Sequence, residues 1–199
     1  MSKGSPPRPR NAVATREAIL ESAFQAFARS GYDGAGVREI AGNAGVTAML
    51  VNRYFGSKEE LFAETLEKAM KSPSVMTDAA IMAETPGMAI AAALVEKTGA
   101  DAPQLDGMRI ILNSASNPRA AEIIRAQIEK HHHALLRSVV HADYPGERAG
   151  LLLAAVAGFQ FMRQMIGLEA LAKAEPAALA KLLGAMFDAA ITPQRQAQE

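Results

Sequence analysis

Cysteine and tryptophan are both absent from this 199-residue chain, and aromatic residues make up only 5% of it. Without cysteine there is no disulfide framework, thiolate nucleophile or cysteine-bound zinc, a composition that fits a reducing cytoplasm. No stretch alternates apolar and polar residues over more than a few positions, so no strand is expected. The longest apolar run, Ala149 to Met162, is too short to span a bilayer and is closed by Arg163 and Gln164. The first ten residues, MSKGSPPRPR, carry charge and proline but no apolar segment, and so do not form a secretory signal. Net charge is absent too, since 21 basic residues balance 21 acidic ones.

What remains is alanine-rich and 49% hydrophobic, with sparse β-branched runs, which favours helix throughout and an all-α architecture. The zero charge conceals an asymmetry. Through Lys58 there are eight bases and four acids, a net of +4, which leaves −4 on the remainder. A basic first third on an acidic remainder fits a nucleic-acid-binding head joined to a body with another task.

Residues 37–58, VREIAGNAGVTAMLVNRYFGSK, read as two short helices around a glycine turn. Val37, Ile40, Ala41 and Ala44 share one face of the first. Gly45 can take the positive φ that any Cβ would penalise. Val46 is an apolar plug, and the Thr47 hydroxyl can cap the second helix. There Val51, Tyr54 and Phe55 point one way, while Ala48, Met49, Asn52 and Arg53 point the other. Small, amide and guanidinium side chains on an exposed helix suit base edges in a major groove. Asn52 can bond adenine through both polar atoms, and Met49 or Leu50 can pack on thymine methyls.

Before this motif, residues 1–13 read as a disordered basic arm, whose Arg8 and Arg10 either enter a minor groove or stay in solvent. Thr15 is placed to cap a helix to Ser30, with Ile19, Leu20, Ala23, Phe24 and Phe27 inward and Gly31 as its stop. After the motif, Ser57 caps a helix to Met70, so the head spans 14–71. A larger helical body is expected over 72–193, with helices near 86–98, 103–116, 118–141, 147–168 and from Pro176 onward. Residues 194–199 form a frayed tail.

TREAIL at 15–20, GYDG at 31–34, VREIAGNAGVT at 37–47 and RYFGSKEELF at 53–62 together resemble the TetR family of bacterial transcriptional regulators. The likeness covers about the first sixty-five residues; the remainder matches in layout. It implies a homodimeric repressor, released from a palindromic double-stranded operator when its body binds a small hydrophobic effector. It also implies that Thr47, Arg53, Tyr54 and Lys58 face phosphates and that Ala48 and Met49 lie close to base edges; Arg38 joins them as a base on the preceding helix. Family members often carry a hydroxyl residue where this chain has Gly36, glycine in place of Met49, and tyrosine in place of Asn52.

In the body, the nearly charge-free stretch of helix over 149–168 must be covered on both sides. Leu151, Ala154, Ala157, Gly158 and Phe161, with Leu183 and Phe187 of the last helix, are expected to form a dimer interface; a central helix of a monomeric core is the competing reading. Met108, Ile111, Phe159, Met162 and Met165, with Gln127 and His131 as polar groups, are candidates for an effector pocket. His131, His132 and His133 are consecutive and point about 100° apart on a helix, so they do not chelate one ion. His133 is expected to face outward. No metal, no other cofactor and no membrane partner is expected. No nucleophile–base pair or phosphate loop is legible, and GYDGAG lacks a preceding strand, so catalysis is not expected. The alternatives are an all-helical enzyme or carrier using the hairpin as scaffold, or a regulator without a small-molecule ligand.

Overall fold

Proline is tolerated at the start of a helix because the amide it lacks would have no partner there, and in the computed structural model the first helix begins at Pro9. The structure describes residues 9–71, 75–99, 106–140 and 142–192. Among them every regular element is helical: α1 (Pro9–Gly34), α2 (Val37–Asn43), α3 (Ala48–Phe55), α4 (Lys58–Lys71), α5 (Asp78–Ile81), α6 (Pro86–Lys97), α7 (Asp106–Ser114), α8 (Pro118–Ile128), α9 (Ala134–Val139), α10 (Pro145–Gln160), α11 (Glu169–Ala172) and α12 (Pro176–Ile191). Two π-helical turns, Glu129–His133 and Phe161–Met165, join α8 to α9 and extend α10.

These elements gather into two compact units. The first holds the described residues through Lys71 together with Asp106–Gln127, and the second holds those within 72–105 and from Ile128 onward. The compact units therefore do not follow the expected contiguous segments 14–71 and 72–193, because α7 and nearly all of α8 pack with the N-terminal helices. The reason is a set of polar contacts between the end of α1 and α7. The Tyr32 amide donates to Ser114 Oγ at 3.0 Å, Asn113 Nδ2 to the Ala28 carbonyl at 2.8 Å, and Asn117 Nδ2 to Asp33 Oδ1 at 2.7 Å. Gly31, at φ 66°, lies so close to the Asn113 carbonyl that no Cβ would fit. It ends the regular part of α1, as expected of a C-terminal glycine.

The N-terminal boundary differs as well. Residues 9–13 are helical rather than an arm, and Thr15 lies inside α1, since nothing after Pro9 interrupts helix formation. Arg8 and the expected tail at 194–199 lie outside the described residues. The four-residue helices α5 and α11 had no sequence counterpart, being too short for a period to show.

In the first unit Phe27, Tyr32 and Phe62 form an aromatic cluster. Phe62 meets the other two edge-on at 4.9 and 5.0 Å between centroids. Ile19, Leu20, Ile40, Val51, Phe55, Leu61 and Leu66 complete its core. The second unit is centred on Ile90, Leu94, Leu136, Leu152, Val156, Phe159, Leu179, Leu183 and Phe187. Here α6 and α12 cross at Gly87 and Gly184, where a Cβ would strike Asp188 and Met88 respectively. Asp188 Oδ1 accepts from the Gly87 amide at 2.9 Å and so caps the start of α6.

Candidate nucleic-acid interface

The turn between α2 and α3 is built from its sequence in detail. The Val46 amide reaches back to the Ala41 carbonyl at 2.9 Å and the Gly45 amide to the Gly42 carbonyl at 3.1 Å, with Gly45 at φ 68°. These paired bonds and the left-handed glycine are the Schellman ending. Thr47 Oγ1 then accepts from the Leu50 amide at 3.3 Å and starts α3. Ser57 and Glu60 form a reciprocal capping box at the start of α4, with both bonds at 3.1 Å. Gly36 is the N-cap residue of α2 and supplies no side-chain bond there.

Capping and periodicity together fix which face of α3 is outward. Val51 and Phe55 are buried, Ala48, Leu50 and Tyr54 are half-buried, and Thr47, Asn52 and Arg53 are exposed. Met49 is 79% exposed, an unusual placement for a large apolar side chain.

The basic groups of the head divide into two sets. Arg16 pairs with Glu64 and stacks over the Phe55 ring at 4.7 Å, while Arg29 pairs with Glu39 at 2.5 Å. Lys68 bridges Glu17 and Glu21 at 2.5 and 3.0 Å. Arg38 and Arg53 are exposed and make no ion pair among the described residues. Lys58 is half-buried, its Nζ 4.7 Å from the Tyr32 ring centroid. Beside it the Glu59 carboxyl is held low by the backbone amide at the start of α4 and then by the Tyr32 hydroxyl. Burial, followed by that same Glu59 charge, pushes the Tyr32 phenol up. The basic excess legible in the sequence is thus partly consumed inside the head, and Arg38 and Arg53 are left facing solvent.

The residues expected to line one effector pocket are divided between the units. Met108 and Ile111 on α7 and Gln127 on α8, all half-buried, belong to the first; His131, Phe159, Met162 and Met165 belong to the second. Met162 and Met165 are 37% and 44% exposed, because the inward stripe at this level passes through Phe159 and Arg163 instead. Gln127 Oε1 and His131 Nε2 are buried without a hydrogen-bond partner. Burial, and then the neighbouring His131, lowers the His132 imidazole. His133 does not face outward as expected: it is half-buried, with Nε2 2.9 Å from the Gly146 carbonyl.

The expected dimer residues also separate. Leu151, Ala154 and Gly158 are exposed along one stripe of α10, with Ala157 and Phe161 half-buried. Leu183 and Phe187, however, are 8% and 1% exposed and fill the core of their own unit. On α12 the outward apolar residues are Leu182 and Met186, at 66% and 58%. The period of α12 turns Leu183 and Phe187 inward and Leu182 and Met186 outward. Arg163, which the sequence offers only as a scattered polar group of the pocket beside Gln127 and Gln160, is 7% exposed and stands in the core-facing stripe. Its place at the end of the stripe Ala149, Leu152, Val156, Phe159 is the signal for that burial.

A short helix held by a tight turn, carrying an open face of amide and guanidinium groups, defines a helix-turn-helix DNA-binding protein of the regulator class. Residues 19–65 match the model of bacterial regulatory proteins of the tetR family, and residues 84–191 match the tetracyclin repressor-like C-terminal domain. The chain belongs to the TetR family of DNA-binding transcriptional regulators.

Among its relatives, the HTH-type transcriptional repressor SCO4008 of Streptomyces coelicolor is 44% identical over 61 residues, 31% of this chain and 32% of that protein. The chain is thus matched to only about a third of that relative's length. The HTH-type transcriptional repressor AcnR of Corynebacterium glutamicum is 29% identical over 140 residues, 70% of this chain and 68% of that one. The crystal structure of a TetR-family regulator (SCO0857) from S. coelicolor A3 is similar at a TM-score of 0.60 and 25% identity, covering 95% and 99% of the two chains. NalD, the secondary repressor of the MexAB-OprM multidrug efflux pump in Pseudomonas aeruginosa, shares the fold at a TM-score of 0.62 and 20% identity over 92% and 99%. No helix among the described residues is long and apolar enough to cross a membrane.

Proposed function

We propose that this chain is a cytoplasmic, non-enzymatic repressor that binds a near-palindromic operator as a homodimer and is released by a small hydrophobic effector. The observation that carries the DNA reading is the outer face of α3, where Thr47, Met49, Asn52 and Arg53 are exposed and Arg53, like Arg38, makes no ion pair among the described residues. Exposed cations next to a groove-sized helix serve phosphates, and the amide and thioether serve base edges. In this reading the head over 14–71 grips DNA through Arg38, Thr47, Arg53, Tyr54 and Lys58. Ala48, Met49, Leu50 and Asn52 choose the sequence. The repressor role is supported by the names of the two curated relatives.

The dimer is supported by the exposed apolar stripes of α10 (Leu151, Ala154, Gly158) and α12 (Leu182, Met186). Such faces are stable in water when a second copy covers them, and twofold symmetry then matches a palindrome. An effector must bind the released state better than the DNA-competent one, or it shifts nothing.

The test is a gel shift on the DNA upstream of the chain's own gene. Wild type should bind, and Arg53→Ala should weaken binding about tenfold and reduce the salt slope by about one. Asn52→Ala should relax sequence preference more than overall affinity. Undiminished affinity of Arg53→Ala would remove that residue from the interface.

A further inference from the structure

The core-facing stripe of α10 and its π-helical extension runs Ala149, Leu152, Val156, Phe159 and Arg163, at steps of three and four. Four of these are apolar and the fifth is a guanidinium left only 7% exposed. Its Nη1 donates to the Val95 carbonyl at 2.8 Å and to Thr98 Oγ1 at 2.9 Å, and Thr98 donates onward to the Leu94 carbonyl at 2.6 Å. The guanidinium carbon lies 5.6 Å from the centroid of the Phe159 ring. The oxygens at the end of α6 carry partial negative charge and offset part of the desolvation of the cation. No carboxylate pairs with Arg163 among the described residues.

A buried cation is normally paired, because burial without a counter-charge is strongly unfavourable. Arginine also carries five N–H donors in a planar fork, and both bonds here leave from Nη1. Nε and Nη2 form the edge that receives a carboxylate side-on. That edge is not among the unpartnered polar atoms sealed from solvent, which are Gln127 Oε1 and His131 Nε2. Nε and Nη2 make no hydrogen bond among the described residues, so that edge is left for a group the chain does not itself supply. The residue also sits in one of the two π-helical turns, a feature that recurs at functional sites.

We infer that Arg163 is an anion anchor in the second unit and that the effector is an amphiphilic organic acid, its carboxylate set on the Nε–Nη2 edge. This rests on the reading that the chain takes a small-molecule effector, and it specifies the charge of that molecule. An apolar skeleton would lie against the Phe159 side of the stripe. The competing role for Arg163 is a clamp on the end of α6 and nothing more.

The experiment uses the full-length protein and matched acid and alcohol pairs: octanoate with octanol, decanoate with decanol, and 4-phenylbutyrate with 4-phenylbutanol. Binding is measured by calorimetry, and DNA release by gel shift. At least one acid should bind about tenfold more tightly than its alcohol, the scale of a charge-assisted hydrogen-bond pair. Arg163→Met removes the fork together with its bonds to Val95 and Thr98, and should abolish that preference even where the affinity for the alcohol also changes. If Arg163→Met does not fold, Arg163→Lys decides: it keeps the charge without the fork, and the preference should fall. Equal binding of every acid and its alcohol to the wild type overturns the anchor while leaving the effector reading standing. So does an undiminished preference in either variant. If no member of any pair binds or releases DNA, both readings fall together.

Discussion

The two units solve the same problem, ending and packing short helices, by different means. In the first, each turn around the DNA-facing helix is closed by a neighbour in sequence: Thr47 on α3, Ser57 with Glu60 on α4, and Gly45 between α2 and α3. Its buried residues Thr65 and Ser114 are both bonded, and Gln127 Oε1, at the edge of the unit, is sealed without a partner. In the second, Thr77 and Glu175 cap α5 and α12 locally, but both ends of α6 are held from far along the chain, by Asp188 of α12 and by Arg163 from beyond α10. That unit also holds the only buried charged side chain among the described residues, both π-helical turns and the His131–His133 run. The helix-turn-helix thus has a local frame, whereas the second unit places a cation in its core and fixes both ends of α6 through distant residues.

The comparison can be broken most sharply at glycine. Gly31→Val combines a strained positive φ with a collision against the Asn113 carbonyl. It should destabilise the first unit by about 3 kcal/mol or more, measured as a shift in the urea midpoint. A value near zero would show that the α1–α7 contact yields easily. Next comes the pair on α12. Leu183→Ala should lose about 2–4 kcal/mol, because that side chain is buried. Leu182→Glu combined with Leu151→Glu should leave the midpoint almost unchanged at low concentration but yield a monomer in sedimentation. A persistent dimer would place the interface elsewhere.

A smaller effect separates the units by pH. His132 titrates below its ordinary value of 6.5 because burial disfavours its charged form. The unfolded chain then takes up a proton near pH 6.5 that the folded unit binds only at lower pH. Stability of the second unit therefore falls as pH drops below about 6.5. Every histidine of the chain lies at position 131 or beyond, outside the N-terminal head. Hydrogen exchange should show this loss in the second unit and not in α1–α4, and His132→Gln should remove it. Least of all, Gly36→Ser, in open space at an N-cap position, should stabilise α2 by a few tenths of a kcal/mol. It should also tighten DNA binding if the new hydroxyl reaches a phosphate.

Much of the head was legible because its determinants are close in sequence. Gly45, Thr47, the 3.6-residue period of Val51 and Phe55, and the Ser57–Glu60 box each act within four residues. The errors arose where distant contacts decide. Nothing near Asn113 or Ser114 in sequence says that their polar groups answer Ala28 and Tyr32, so the packing of α7 on the N-terminal helices is not legible there. Leu182 and Leu183 are chemically identical, and only the packing of α12 makes one a core residue and the other a surface residue. The basic excess of the first third was read correctly as a sum, but its distribution was not, since Arg16 and Arg29 are taken up by Glu64 and Glu39.

By itself, then, the sequence determined an all-helical chain with a helix-turn-helix, its family, and the face of α3 that meets solvent, because periodicity and capping are local interactions. Only the tertiary structure decided that α7 and most of α8 belong with the head, that Arg38 and Arg53 are left without ion pairs among the described residues, and that Arg163 stands in a core stripe without a counter-charge. Those outcomes depend on which distant groups come to lie side by side, and no short-range rule of helix formation specifies that.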